Sequence, residues 1–340
     1  MKTIGMIGSH SAEEIAVAAK RWGFKTAVIC QKGREKLYTH YNRFLFDHVF
    51  VFEKFKDLIY PENQEKLLEL ETLFIPNRSF SVYIGYDAIE QKFTIPLYGN
   101  RWLLRIEDRT FERDQYWLLR QGGIRIPKQY TVDTIEGLAI VKVQQRENPL
   151  ERAFFYVTSP QDFEEKAQRL INAGIVDEEA LYNAPIEEFV LGPRFNANFQ
   201  AYGCSDKFGR FDLVGFDDRI QTNLMGLLNL PARTQLHLDI PLKNEEVGHK
   251  GVTMRESKKP LVYEAAELFL DVVEKHFPPK HIGLFALQGA LNEFSEFVVF
   301  DVSPRIPGCP CVGPTSPELL RLSLKFHKTL KSPLDLCMLD

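Results

Sequence analysis

The 340-residue sequence predicts an α/β amino-terminal unit joined to an α+β remainder. Thr3-Ile-Gly-Met-Ile-Gly8 brackets a short apolar strand, Ile15, Ala18, Ala19 and Trp22 follow at helical spacing, and Lys25-Thr-Ala-Val-Ile-Cys30 reads as a second strand. This is a βαβ start, expected to be parallel and right-handed. Later, Phe195–Tyr202 and Phe211–Phe216 read as two strands in succession. Near the end, His281–Gln288 and Glu296–Arg305 read as an antiparallel hairpin.

The elements between follow in order. Ser11 and Glu14 fit a capping box for the first helix, and Gly23 stops it. His10 lies in the loop after the first strand, where open α/β sheets bind ligands; a hydrogen-bonded surface histidine is the ordinary alternative. Leu73–Pro76 and Phe93–Tyr98 read as strands, followed by Asn77-Arg78-Ser79 and Gly99-Asn100-Arg101. Three such loops converging on one ligand would offer hydroxyls, a histidine and an arginine, which suits a phosphorylated small molecule. Singly, each is turn chemistry. Trp102–Gln121 reads as a long charged helix ended by Gly122-Gly123, and Ile124–Pro127 leads into a different unit. There, Leu138–Val143 is an apolar strand carrying Lys142, which calls for a paired ammonium or an edge position. Pro160–Ala173 reads as a helix, Ala184–Gly192 as a strand, Asp217–Pro231 as a polar loop holding Arg219 and Asn223, and Pro260–His276 as a helix.

Composition is that of a soluble globular protein, 44% hydrophobic and 26% charged, with net charge −4 and pI near 6.1. That balance argues against a nucleic-acid surface. No apolar run is long enough to cross a membrane, and the N-terminus lacks a signal-peptide pattern, so a cytoplasmic location is expected. The 5 cysteines are scattered, and Cys309-Pro-Cys311 lacks the CxxC spacing of zinc or redox sites. In the hairpin, Gln288 and Asp301 would share one sheet face. That oxygen pair, with Arg305 beyond it, suits Mg²⁺-nucleotide, because Mg²⁺ takes one or two protein oxygens and completes its shell with phosphate and water. A hairpin with a polar outer face explains the same pattern without a ligand.

A series of blocks in a fixed order adds to this: Gly8-Ser-His10-Ser11, Pro76-Asn-Arg-Ser79-Phe80, Tyr98-Gly-Asn-Arg101, Gly123-Ile-Arg-Ile-Pro127, Ile140-Val-Lys142, Ile186-Glu187-Glu188-Phe189-Val190-Leu-Gly192, Arg219-x-x-x-Asn223, Val247-Gly-His249, Met254-Arg-Glu-Ser257, Gly283-x-Phe-x-Leu-Gln288 and Val299-Phe-Asp301-x-Ser-x-Arg305. In these the chain resembles the archaeal PurP family, the formate-dependent FAICAR synthetases of purine biosynthesis, over nearly its whole length. The resemblance implies an ATP-grasp fold with an N-terminal Rossmann-like (pre-ATP-grasp) domain. Its parts would be a pre-ATP-grasp domain at 1–122, a lid subdomain at 123–192 and a large subdomain at 193–340. It implies a ligase using ATP and Mg²⁺, with Mn²⁺ as a substitute, to activate formate as formyl phosphate for attack by the amine of AICAR. By position, His10, Ser11, Ser79, Arg101 and Asn223 would bind the ribonucleotide. Lys142, Glu187, Glu188, Phe189 and Val190 would bind ATP, Gln288 and Asp301 would hold the metal, and Lys142 and Arg305 would serve the chemistry. Relatives form larger oligomers, so a homo-oligomer is expected without a subunit count.

Three departures stand out. The family's glycine-rich loop after the strand lysine is replaced by Val143-Gln-Gln-Arg146-Glu-Asn-Pro149-Leu-Glu-Arg152, without glycine. Losing two charge-assisted bonds to phosphate, at roughly 1.5–3 kcal/mol each, would weaken ATP binding by about 10²–10⁴-fold, unless Arg146 and Arg152 meet the phosphates directly. The second metal position, usually glutamate, is Asp301. The segment after the last strand is Ile306-Pro-Gly-Cys-Pro-Cys-Val-Gly-Pro314. Two other readings therefore stand beside AICAR formylation: ligation of another carboxylate to a related ribonucleotide, and a non-catalytic purine-nucleotide-binding paralogue.

Overall fold

The computed structural model describes residues 2–144, 152–238, 246–308 and 311–340. The amino-terminal sheet holds β1 (Thr3–Ile7), β2 (Lys25–Gln31), β3 (His48–Phe52) and β4 (Thr72–Phe74), all parallel, in the order β3-β2-β1-β4. β1 is buried along its whole length, as a central parallel strand covered on both faces must be. The second sheet is antiparallel: β5 (Gln129–Tyr130), β6 (Ala139–Gln144), β7 (Arg152–Val157) and β8 (Ile186–Glu188), ordered β5-β8-β6-β7. The third, also antiparallel, contains β9 (Arg194–Ala201), β10 (Phe211–Gln221), β11 (Glu246–Val252), β12 (Gly283–Leu291) and β13 (Phe297–Ser303), ordered β11-β10-β9-β12-β13.

One face of this five-stranded sheet packs Phe199, Phe216, Phe285 and Leu287 against Phe269 of the helix Lys259–His276 and Leu118 of the helix Gln115–Gln121. Another cluster joins Ile4, Met6 and Ala16 of the amino-terminal unit to Leu284 and to Leu322 and Leu336 of the last two helices. Arg21 ties the same two parts together through an ion pair of 2.8 Å with the fully buried Asp335. Among the described residues no helix is long and apolar enough to cross a membrane.

Several expectations change. Ser11 does not form the capping box: its φ is 68° and its side chain makes no cap bond, because an N-cap oxygen reaches the first turn from an extended backbone. Phe93–Tyr98 contributes a single bridge, Leu97 beside Phe74, rather than a strand; Pro96 has no N–H to donate to a ladder. The helix expected over 102–121 is split into a 3₁₀ turn at Leu104–Glu107 and a helix at Gln115–Gln121. Asp108 accepts from Thr110 N and Asp114 from Trp117 N, so two short acidic side chains turn the chain and then restart it. The polar loop expected from Asp217 is strand as far as Gln221, since its backbone pairs with β11, and the helix Thr222–Leu228 follows. Arg146 and most of the glycine-free loop lie outside the described residues, as does Cys309; Cys311 is a free thiol.

Candidate active site

The expected hairpin forms, and Gln288 and Asp301 are direct cross-strand partners in it. The register extends further. Asp217 pairs with Asn196, Asn196 with Gln288 and Gln288 with Asp301, so four polar side chains form a row across one face of the sheet. The register shifts between Gln288 and Gly289, leaving Phe300 of β13 as the extra, bulged residue. A Cβ on Gly289 would fall 2.4 Å from the Val298 carbonyl oxygen, so glycine is needed for the strands to close at this point.

Asp301 is held from three sides. Gln115 Nε2 donates to its Oδ1 at 3.0 Å, Arg109 Nη2 lies 3.4 Å from the same oxygen, and Arg219 Nη2 lies 3.6 Å from Oδ2. Gln115 is buried, and its own oxygen accepts from Val302 N, which fixes the amide. Arg219 also pairs with Glu246 at 3.1 Å. Glu246 in turn meets His249 Nε2, and His249 Nδ1 sits 2.6 Å from Asp217. His10 stacks on His249 with ring centroids 5.9 Å apart. A chain of contacts, one ring stacking followed by ion pairs, thus leads from the first βα loop to the hairpin.

The His10 loop is set by Asn77, a fully buried side chain that the sequence reading passed over in favour of Ser79. Its amide donates to the carbonyls of Ile7 at 3.1 Å and His10 at 2.8 Å, while its oxygen caps the helix Arg78–Ile84 by accepting from Phe80 N at 3.1 Å. Ser79 is buried in the first turn of that helix. Burial, with the nearby Arg305 and His249 charges, lowers the pKa of His10 against an upward pull from Glu246. Arg305 donates to Glu107 at 2.8 Å, and Arg78 meets the other oxygen of Glu107 at 2.7 Å, so one buried carboxylate gathers two arginines at the cleft.

On the smaller sheet, Lys142 forms an ion pair with Glu187, which is 2% exposed and also accepts from the Tyr116 hydroxyl at 2.7 Å. Tyr116 lies under the Arg109 guanidinium, 4.4 Å from its ring centroid, which links this group to Asp301. Glu188 accepts from Lys128 N at 3.0 Å. The Phe189 ring carries Arg194 over its face at 4.4 Å, and Val190 is buried. Arg101 stands apart, its Nη1 donating to the Phe93 carbonyl at 2.7 Å. Asn223 falls in the helix Thr222–Leu228. Asp217, Glu246, Asn77, Glu107 and Gln115 were missed as site residues. Only Asn77, placed after a proline and before a helix, carried a local signal.

A five-stranded antiparallel sheet, a smaller antiparallel sheet carrying a lysine and an amino-terminal parallel sheet make up the ATP-grasp fold. Solved structures agree. A crystal structure of an IMP biosynthesis protein PurP from Thermococcus kodakaraensis superposes with a TM-score of 0.70 at 22% identity, covering 98% of this chain and 94% of that one. The ADP complex of purK, an N5-carboxyaminoimidazole ribonucleotide synthetase, gives 0.66 at 14%, covering 98% and 75%. Residues 4–130 match the family described as "Protein of unknown function (DUF1246)", and residues 162–329 that described as "Domain of unknown function (DUF1297)". A relative from Methanopyrus kandleri is 37% identical, covering 90% of this chain and 83% of its own. One from Methanocaldococcus jannaschii is 35% identical, covering 99% and 94%. Both are named 5-formaminoimidazole-4-carboxamide-1-(beta)-D-ribofuranosyl 5'-monophosphate synthetase, and the chain belongs to that family.

Proposed function

We propose that this chain is an ATP-dependent carbon–nitrogen ligase that joins formate to AICAR, giving FAICAR, ADP and phosphate. A formate oxygen attacks the terminal phosphorus of ATP and ADP leaves. The AICAR amine then attacks the carbonyl carbon of the formyl phosphate, phosphate departs, and the amine gives up a proton. The observation that carries this reading is the chain of contacts from His10, stacked on His249, through Glu246 and Arg219 to Asp301. It joins the first βα loop to the Gln288–Asp301 oxygen pair, in a chain 35–37% identical to named synthetases.

Gln288 and Asp301 fit Mg²⁺: both are oxygen donors, adjacent on one face and only partly buried. Bound there, the ion would supply charge neutralisation on the transferring phosphoryl group. Lys142, its ammonium paired with Glu187, would meet ATP phosphates as a point charge. The protein's own work is positioning and charge compensation, which suits phosphoryl transfer. The test is ATP consumption with Mg²⁺, formate and AICAR, the product identified by mass. FAICAR that disappears in Asp301→Ala supports the reading. Folded protein that binds AICAR but makes no product overturns it.

A further inference from the structure

His249 is held more firmly than a surface histidine requires. Its ring packs against Gly308, where a Cβ would fall 2.2 Å from Nδ1, so the loop after β13 closes over the ring only with glycine there. Nδ1 rests on Asp217, which is fully buried and takes an amide hydrogen bond of 2.6 Å from each of Asn196 and Asn198. The His10 ring lies parallel to it within 10°. Beside His10, the buried Ser11 hydroxyl has no hydrogen-bond partner among the described residues.

Burial works against a charge on His249, but its bonds to Asp217 and Glu246 outweigh this and raise its pKa to about 9. Burial likewise opposes the Glu246 charge, yet His249 and Arg219 hold its pKa at about 2. A carboxylate therefore sits between an imidazolium and a guanidinium, with the Arg305 charge acting on the same pocket through His10. A substrate oxyanion would find the same donors.

We propose that His249, with His10 and the Ser11 hydroxyl, forms an oxyanion subsite, and that the Glu246 carboxylate occupies it until a phosphate or carboxylate group of the substrate displaces it. This rests on the reading of the cleft as the ribonucleotide's site.

The test is calorimetric binding to the full chain without ATP, using sulfate and formate as separate probes. Glu246→Gln is expected to tighten binding of one probe about tenfold, and His249→Gln to weaken it about tenfold. A sulfate response identifies the phosphate group as the occupant; a formate response identifies the carboxylate donor. The double variant Asp217→Asn/Glu246→Gln supplies a readout that a misfolded pocket would not give: weak binding near pH 7.5 that recovers at about pH 5.5, where an imidazole with neither carboxylate beside it is charged. Equal binding of both probes by every folded variant would overturn the proposal. So would one zinc ion held per chain by His10, Glu246 and His249, whose donor atoms lie within 4.8 Å of one another. Turnover is not read, so failure of the AICAR reaction and failure of the subsite are separate results.

Discussion

The two ends of the cleft are built differently. At the end proposed for the ribonucleotide, His10, Asp217, Glu246, His249 and Arg305 come from four separate stretches of chain and interlock through charge. At the end proposed for ATP, Lys142 and Glu187 are neighbours on adjacent strands, flanked by the backbone and aromatic groups of 188–190. The first arrangement suits an anionic substrate that must be placed in one orientation. The second suits a nucleotide gripped largely along one strand edge. Under the proposed function, the difference teaches that discrimination among acceptors would reside in the five-stranded sheet and its contacts with the first βα loop, while the smaller sheet would handle ATP.

Substitutions can separate the ends. The largest effect is expected for Asp301→Ala, which removes the anionic oxygen proposed to hold the metal. Turnover should fall by about 10³-fold, the equivalent of several kcal/mol, while AICAR binding by calorimetry stays within a few-fold. Asn77→Ala comes next. It leaves two carbonyls and a helix cap without their partner, so chemical denaturation should show a loss of about 2–4 kcal/mol, with AICAR binding weakened more than ATP binding. Lys142→Ala should raise the KM for ATP by about 10–10²-fold and leave AICAR binding nearly unchanged; equal losses for both ligands would break the division.

The smallest expected effect is in pH dependence. The folded pKa of His249 is raised from 6.5 to about 9, so its stabilising charge is fully present below about 6.5 and is lost as pH rises through about 9. Melting temperature should decline across that window, and His249→Gln should flatten this part of the profile. Glu246 acts in the opposite direction. Its stabilisation is present above about 4.5 and lost as pH falls toward about 2.

The same division explains what the sequence made readable. Lys142, Glu187, Gln288 and Asp301 sit on strands whose apolar pattern announces them, and the hairpin's short turn sets the pairing of the last two. Asp217 and Glu246 had no such marker. Asp217 was read as the start of a loop, and it gains its meaning from a sheet order, β11-β10-β9-β12-β13, that no local pattern encodes. Glu107 and Gln115 were placed on one long helix. Only the break between them lets Glu107 gather Arg78 and Arg305 while Gln115 reaches Asp301. Asn77 illustrates the middle case: its cap was readable, but its bonds to the first βα loop, some 70 residues earlier, were not.

The core of the five-stranded sheet contains Leu103, Leu118 and Ile126 from before the smaller sheet, and Phe195 onward from after it. The smaller sheet has a core of its own, including Val141, Phe163 and Leu181. Its first and last strands pair side by side, Gln129 with Glu187. In architectural terms the smaller sheet is a cassette inserted into a continuous body, entering and leaving through one paired gate. Changes within the cassette can therefore leave the five-stranded layer undisturbed.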